Sequence, residues 1–476
     1  EVGSGVLRLF AVVFRVRFLL SLPLLPHLRS SVSSNTSRIT WAVKLIERGL
    51  VLKATRSLFP SSLAPFTPDN VETLGRLHPP ASSDVLPHLP SSAPRIHVDS
   101  SIIATLVSEK VANGSTPGPS GWTGEHLQAL VGDPDCLSGI VAIVEDIVNG
   151  DFSEDARALL LSSTLIASEK ESGGLRPIAI GEVFYRLACH YVLHLVRPIV
   201  PSLLEPIQLA HSPGGTERAL HILQAALEKE SDDAALLSID FAHAFNSLRR
   251  DTLLSRTFSE VRLSPLWRLV HWAYRSPTDL LLIESGELVT TLRSAEGVRQ
   301  GDVLSSLLFS HTVLPLYSLV SSEFPQVSAV AIMDDIEFVG PFSQLLLVVD
   351  RLAQHSPQYG LSLQFRKCSM LWPRPAPVPV SLSSGCLQRG LSVVLHGIPV
   401  LGSMVSLDLM FFRDWLLSRV TKAHARLFEF LGDRDLSSHH AFVLLRSSVL
   451  LACPFLLVSF LLLCLHLLPR GSTLGF

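Results

Sequence analysis

Three aspartates that each follow an apolar run are the residues of this sequence best suited to chemistry. Asp240 follows the run 234–239, and Asp334 and Asp335 follow the run 329–333. Carboxylate oxygens are the ligands that hard cations such as Mg²⁺ prefer. Two such ions about 3.5–4 Å apart can activate a hydroxyl nucleophile and stabilise the leaving oxygen of an in-line displacement. The pattern therefore predicts a two-metal site, provided that the two apolar runs pair as neighbouring strands.

Each aspartate taken singly has a simpler interpretation. Aspartate favours turns, because its side chain bonds to nearby backbone amides. A pair such as Asp334 and Asp335 between two strands is therefore more often a solvated turn than a metal site. The wider context of the three residues decides between these interpretations.

The elements around the aspartates predict a mixed architecture. Apolar runs favour strands at 234–239, 329–333 and 336–339, the last two forming a hairpin with carboxylates at its tip. A long apolar helix is expected to follow 297–302 and to continue to about Val320. Further helices are predicted at 41–57, 101–112, 140–148, 181–196 and 215–229, a strand at 159–167, and a Pro- and Ser-rich linker at 60–94. Helices and strands mix without strict βαβ alternation, which is typical of the α+β class.

Composition gives little direct guidance to a partner. The 476 residues carry a net charge of −3, so a surface for a polyanion must come from local clusters of Lys and Arg. The six cysteines form no CxxC pair and no zinc-finger spacing with histidine, which favours reduced thiols in an intracellular protein.

The two ends of the chain are unusually apolar. Residues 1–40 form an apolar and Ser-rich leader that we expect to lie outside the fold; the arginines within it argue against a signal peptide. Residues 447–468 have no charged side chain and are long enough to span a bilayer. A membrane span, a buried pair of helices and a stretch read in a wrong frame all stay open for the tail, 451–476. Membrane association is the least favoured, and the chain, beginning with Glu1, is expected to be a fragment.

Three motifs in fixed order carry a family resemblance. The segments are DFAHAF at 240–245, GVRQGDVL at 297–304 and AIMDD at 331–335. They resemble motifs A, B and C of reverse transcriptases, especially those of non-LTR retrotransposons. Four further segments are similar to that family: PGPSGWTGEHL at 117–127, LRPIAIGEVFYRLA at 175–188, GLSLQFRKC at 360–368 and LHGIPVLGS at 395–403. The resemblance extends from about residue 41 to about residue 450.

The resemblance implies a right-hand polymerase fold with a ferredoxin-like antiparallel palm sheet. It divides the chain into an N-terminal helix and Pro-rich linker (41–100), fingers (101–233), palm with the primer grip (234–404) and a partial helical thumb (405–450). The implied activity is RNA-directed DNA polymerisation, in which a nucleotide is transferred from a dNTP to a primer 3′-hydroxyl. The implied cofactor is a pair of Mg²⁺ ions, with Mn²⁺ as a substitute.

The family's functional positions carry over to particular residues. The resemblance assigns metal binding to Asp240, the Phe241 carbonyl, Asp334 and, less directly, Asp335. It assigns contacts with the incoming nucleotide to Lys170, Arg176, Phe245, Gln300, Gly301 and Lys367, and the primer grip to Leu401 and Gly402. Phe245 would be the steric gate that excludes a ribose 2′-hydroxyl; without the motif, a core Phe is the simpler interpretation. Asp302 is expected to cap the helix that follows it.

Implied partners are an RNA or DNA template with a DNA primer, and dNTPs; no obligate protein partner can be read from the sequence. The resemblance also implies a nuclear site of action. Some motif positions depart from the family pattern, with Ile332 in place of an aromatic residue and Asn246 in place of Asp. These departures leave an alternative, a catalytically inactive and truncated retroelement remnant that at most binds nucleic acid.

Overall fold

The structure is a computed structural model of the chain. It describes residues 35–58, 63–111, 115–170, 173–229, 232–431 and 436–446. Of the predicted leader 1–40, residues 1–34 lie outside the described residues, as does the tail 451–476 with the predictions made for it. Residues 35–40 do not lie outside the fold as expected, because they begin the first helix, and Ile39 is buried in an apolar cluster. Within the described part of the chain, no helix has the length and apolar character needed to cross a membrane.

The chain divides into two compact units that are described separately. Among the residues described, the first unit takes those within 63–203 and 243–312, and the second takes those within 35–58, 204–242 and 313–446. Most of the predicted fingers lie in the first unit, while the predicted palm contributes to both. The predicted boundaries between fingers, palm and thumb stay predictions.

The first unit combines helices with one four-stranded sheet. Its helices are α3 (Pro68–Arg76), α4 (Ser100–Glu109), α5 (Gly124–Leu130), α6 (Pro134–Asn149), α7 (Glu154–Leu161), α8 (Val183–Val196), α9 (Val200–Leu204), α11 (Ala244–Ser247), α12 (Arg250–Ser259) and α13 (Trp267–Tyr274). Its strands are β1 (Ser163–Glu169), β2 (Leu175–Gly181), β4 (Thr278–Glu284) and β5 (Glu287–Ser294), in the order β2-β1-β4-β5. The last residue of α9, Leu204, belongs to the second unit. Helix α14 (Ser305–Glu323) begins in the first unit and ends in the second.

One face of this sheet forms a core. Alternate residues of β1 are buried, as expected for a strand with one covered face. Leu165 and Ala167 of β1 and Leu280 and Leu282 of β4 pack there with Leu74 of α3. Helix α3 therefore closes the sheet on the side opposite the half-buried and exposed residues of β1.

The second unit is built around a five-stranded sheet. Its strands β3 (Ala234–Ile239), β6 (Ser328–Ile332), β7 (Asp335–Pro341), β8 (Ser369–Leu371) and β9 (Ser392–Val394) have the order β6-β7-β3-β8-β9. A separate hairpin pairs β10 (Ile398–Val400) with β11 (Ser403–Val405). The helices are α1 (Asn35–Glu47), α2 (Val51–Leu58), α10 (Gly215–Lys229), α15 (Phe342–His355), α16 (Val380–Arg389), α17 (Leu409–Leu431) and α18 (Ser438–Leu444).

Two apolar clusters hold this second unit together. One joins Leu223 and Leu227 of α10 to Leu236 of β3 and to residues of the β10–β11 hairpin such as Val400 and Val405. The other joins α1 and α2 to Phe430 of α17 and Leu444 of α18. The first cluster supports the central strands of the sheet, where the predicted metal-binding residues lie.

The α+β class is confirmed, and most predicted elements are present. Strand β3 and helix α10 have the predicted bounds. The predicted helix 41–57 is two helices, because the chain turns at Gly49 with a φ of +75°.

Two predictions about elements were wrong. The strand expected at 159–167 begins only at Ser163, because residues up to Leu161 complete α7. The stretch 60–94 is not all linker, since α3 lies within it. Thr67 caps α3 by accepting a hydrogen bond from the Asn70 amide, and Pro68 suits the first helical position, where no amide donor is required.

Candidate active site

Strand pairing brings two of the three aspartates together. Strand β3 runs antiparallel to β7, and the pairing continues to Ile239 opposite Ile336. Asp240 and Asp335 are the next residues along these two strands, so they lie side by side at the same end of the sheet. Asp334 occupies the turn of the β6–β7 hairpin, in which Ile332 pairs with Asp335. The condition set by the sequence, that the two acidic strands be neighbours, is met.

The chain after β3 is held by the segment that follows α15. The Ala242 amide donates to the Ser362 carbonyl (2.8 Å), and the Gln364 amide donates to the Asp240 carbonyl (2.8 Å). In this antiparallel pattern the carbonyl of the intervening residue, Phe241, faces away from its partner Leu363. The Phe241 carbonyl therefore takes no part in this pairing and points away from the 362–364 segment.

A buried cysteine, Cys368, packs against Asp240, a contact that the sequence did not predict. The Asp240 amide donates to Cys368 Sγ at 3.4 Å, and the thiol lies 3.7 Å from the Asp240 carbonyl. Burial raises the pKa of the Cys368 thiol and outweighs the hydrogen bond with the Asp240 backbone, which lowers it. Cys368 is therefore a protonated thiol that supports the Asp240 backbone.

Two buried polar side chains accompany the acidic hairpin. Burial raises the pKa of the Tyr317 hydroxyl, and the charges of Asp334, Asp335 and Glu337 raise it further. Burial also raises the pKa of Glu337, with Asp335 adding to the effect. Both shifts disfavour the charged forms of Tyr317 and Glu337.

The donor atoms fit a hard divalent cation. Carboxylates and a backbone carbonyl are oxygen ligands of the kind that Mg²⁺ takes, usually with one or two carboxylates and the substrate phosphates. However, no group of three or more His, Cys, Asp or Glu side chains within the described residues is arranged to hold a metal ion by itself. The strands nevertheless place several oxygen donors next to one another at one end of the sheet.

In the first unit, the loop of motif B is anchored by a buried ionic cluster. Asp302 Oδ2 accepts hydrogen bonds from Tyr185 Oη (2.8 Å), Tyr274 Oη (3.0 Å) and Arg299 Nη2 (2.9 Å). The side chains of Arg299 and Asp302 are only 3% and 2% exposed. Burial and the charge of Asp302 raise the pKa of both tyrosines, so they stay protonated and can donate.

The capping role expected for Asp302 is present but secondary. Asp302 Oδ1 accepts from the Leu304 amide at 3.0 Å, just before α14 begins. The other carboxylate oxygen holds the cluster with Arg299, Tyr185 and Tyr274. Sequence reasoning missed these three partners because they come from separate helices and a loop.

The glycines of motif B permit close backbone approach. A Cβ on Gly301, which has a φ of +108°, would lie 2.5 Å from the Ala179 carbonyl oxygen of β2. The Ala179 amide donates to the Gln300 carbonyl at 2.7 Å. The loop is therefore fastened to β2, and Gly301 is required there by space as well as by φ. Gln300 itself is half-buried.

Phe245 is not a core residue in the usual sense. It is only half-buried, and its ring stacks on that of Phe309 in α14, with centroids 4.7 Å apart and planes 6° from parallel. Phe309 is completely buried. One face of the Phe245 ring is thus fixed by the protein, as a rigid steric element requires.

Two basic residues share one face of the β1–β2 hairpin. Arg176 pairs with Ser168, and Lys170 lies two residues beyond Ser168, so alternation places both on the same side. Arg176 is exposed and Lys170 is half-buried. This face is opposite the apolar core of the sheet, which contains Ala167, Leu175 and Ala179.

The remaining predicted residues lie at turns of the second unit. Lys367 is exposed, and its amide donates to the Gln364 carbonyl at 2.7 Å. Leu401 and Gly402 form the two-residue turn between β10 and β11, with φ values of +50° and +80°. Positive φ at both positions is typical of a tight hairpin turn, where Leu is unusual. The predicted primer grip is therefore the tip of a hairpin.

The five-stranded sheet carries carboxylates at the ends of two neighbouring strands, β3 and β7. It is antiparallel, as expected, except that β8 and β9 pair in parallel. Residues 168–432 match the family model described as reverse transcriptase (RNA-dependent DNA polymerase). The chain belongs to the reverse transcriptase family. The predicted right-hand fold and the resemblance to this family are thereby confirmed.

The chain is similar to a curated protein and, more distantly, to a solved structure. It is 31% identical over 283 residues to the retrotransposable element SLACS 132 kDa protein of Trypanosoma brucei gambiense, an alignment covering 59% of this chain. The chain spans only 23% of the length of that relative. Among solved structures, apo telomerase from Candida tropicalis truncated from its C-terminal domain shares 14% identity, with 52% of this chain and 53% of that chain covered and a TM-score of 0.38. The relationship to a retrotransposable element agrees with the non-LTR resemblance.

Proposed function

We propose that this chain is an active RNA-directed DNA polymerase of a non-LTR retrotransposon. The observation that carries the proposal is the pairing of β3 with β7, which puts Asp240 beside Asp335 and next to the turn that contains Asp334. All three acidic positions of the motifs are intact. The departures at Ile332 and Asn246 remove none of these carboxylates; Ile332 is buried in the apolar cluster of the sheet.

The proposed metal site consists of the three aspartates and the Phe241 carbonyl. Two Mg²⁺ ions bound there would activate the primer 3′-hydroxyl and stabilise the pyrophosphate leaving group. We infer that the triphosphate of the dNTP supplies further ligands, as substrate phosphates commonly do for Mg²⁺.

The remaining roles are those that the family resemblance assigns. Arg176 and Lys170 present positive charge on the open face of their hairpin, and a guanidinium matches phosphate oxygens well. We assign both, with Lys367, to the phosphates of the incoming nucleotide. Gln300 and Gly301 would contact the nucleotide through the anchored motif B loop, and Leu401 and Gly402 would support the primer.

The proposal is tested by extending a labelled DNA primer annealed to an RNA template, with Mg²⁺ and all four dNTPs. Extension in proportion to enzyme concentration supports it. The alternative, an inactive remnant, predicts binding to the same primer–template that weakens with salt, without extension by folded protein.

A nuclear site of action belongs to the same proposal, since elements of this type typically prime on chromosomal DNA.

The stacked ring of Phe245 leads to a prediction about sugar discrimination. Replacing Phe245 with Val removes the flat surface that would collide with a 2′-hydroxyl. We expect the preference for dTTP over UTP, measured as a ratio of kcat/KM values, to fall by about tenfold or more. The Phe309→Leu variant, which loses the stacking partner but keeps the gate, should retain most of the preference. An unchanged ratio in Phe245→Val would show that Phe245 is not the gate.

A further inference from the structure

A buried glutamine holds the turn that carries Asp334. Gln208 is completely buried. Its Nε2 donates to the Met333 carbonyl at 2.6 Å, and its Oε1 accepts from the Met333 amide at 3.0 Å. One side-chain amide thus satisfies both backbone groups of a single residue, the residue that directly precedes Asp334.

Met333 needs such support because of its conformation. It is the first residue of the two-residue turn between β6 and β7 and has a φ of +59°. A two-residue turn with positive φ at its first position prefers glycine there. A bulky L-residue is strained in this region and persists only where its surroundings fix it. The two hydrogen bonds from Gln208 act directly on the strained residue.

Gln208 is itself held firmly by the backbone. The Leu209 amide donates to the Ala331 carbonyl (2.9 Å), and the Ala331 amide donates to the Ile207 carbonyl (2.8 Å), so this segment pairs with β6 in parallel. The start of α10 closes over it, because a Cβ on Gly215 would lie 2.0 Å from the Leu209 carbonyl oxygen. The side chain therefore extends from a rigid support to the turn.

We propose that Gln208 is a positioning residue that sets the orientation of the Met333–Asp334 peptide, and through it the Asp334 carboxylate. The functional part rests on the proposed polymerase activity, whereas the structural part does not. Misplacing a catalytic group by about 1 Å can cost about a hundredfold in rate. Loss of the two hydrogen bonds from Gln208 to Met333 should therefore lower kcat without a comparable change in the KM for primer–template.

The test compares wild type with Gln208→Met, which keeps the approximate size but makes neither hydrogen bond. We expect kcat for dTTP incorporation to fall between about tenfold and a hundredfold. Adding Met333→Gly should restore at least a third of the lost activity on a logarithmic scale, because glycine adopts positive φ without support. If Gln208 only stabilised the fold, the change at residue 333 would not restore the lost kcat.

Amide hydrogen exchange of the peptide 328–341 provides a readout that is independent of activity. Exchange at 332–336 should become faster in Gln208→Met. The matched control is Gln224→Met, since Gln224 is also buried and bonds both the carbonyl (3.1 Å) and the amide (3.4 Å) of one residue, Ser406. This control should leave exchange at 332–336 unchanged.

The outcomes separate the two proposals. If wild type incorporates dTTP but Gln208→Met has an unchanged kcat or is not rescued by Met333→Gly, the positioning role is refuted. If wild type does not incorporate dTTP, the proposed polymerase activity fails. In that case, faster exchange at 332–336 in Gln208→Met still supports the proposal that Gln208 holds the turn, and unchanged exchange overturns it.

Discussion

Replacing Asp240 with Asn is expected to reduce dNTP incorporation by about a thousandfold or more. Asparagine keeps the shape of the side chain but removes the negative charge and one anionic ligand oxygen. A metal-assisted step gains several kcal/mol of transition-state stabilisation, and each 1.36 kcal/mol corresponds to about a factor of ten in rate. The measurement is single-nucleotide extension of a DNA primer on RNA under saturating substrate.

The matched control is Asp350→Asn in the same unit. Asp350 lies on α15, its side chain is 50% exposed, and it pairs with Arg389 at the surface. An exposed pair of this kind contributes about 0–1 kcal/mol to stability, so near-wild-type extension is expected. Extension by Asp240→Asn within tenfold of wild type would contradict the assignment of Asp240 as a metal ligand.

Replacing Asp302 with Ala is expected to lower the free energy of unfolding by about 3–5 kcal/mol. Removing one partner of a buried ion pair leaves the other charge uncompensated, and here Arg299 would keep its charge while 3% exposed. Tyr185 and Tyr274 would lose the same acceptor. Urea denaturation followed by tryptophan fluorescence measures the change, since Trp267 and Trp272 lie in the same unit.

A surface ion pair of the same unit gives the control for Asp302. Asp279 pairs with Arg293, and their side chains are 33% and 59% exposed. Asp279→Ala should cost about 0–1 kcal/mol, as is typical of exposed pairs. A loss below about 1 kcal/mol for Asp302→Ala, measured in the same way, would show that the cluster does not stabilise the unit.

The acidic strands were predictable because their signal is local. Residues of β3 are almost all buried, so the strand is a continuous apolar run that ends where Asp240 meets solvent. The hairpin β6–β7 has a similar character, with Asp334 and Asp335 at its turn and Glu337 as a buried exception within β7. Neighbouring positions for the two strands came from the motif order, and the pairing of Ile239 with Ile336 confirms it.

Other parts could not be predicted from neighbouring residues. Gln208 and Met333 are 125 residues apart in sequence, and no local pattern connects a glutamine after a proline-containing segment with a distant turn. Asp302 looks like a simple cap until Tyr185, 117 residues away, is seen to bond it. The β4–β5 hairpin did have a local signal in the Ser285–Gly286 pair, since Ser-Gly is typical of turns. These two residues form its turn, with φ values of +60° and +85°.

The central claim is that Asp240, Asp334 and Asp335 form the metal site of a working reverse transcriptase. The most direct measurement is Mg²⁺-dependent dTTP incorporation on poly(rA) primed with oligo(dT), comparing wild type with the Asp334→Asn, Asp335→Asn double variant. Incorporation by wild type and none by the double variant is predicted. Equal incorporation by both, or none by folded wild-type protein, would contradict the account.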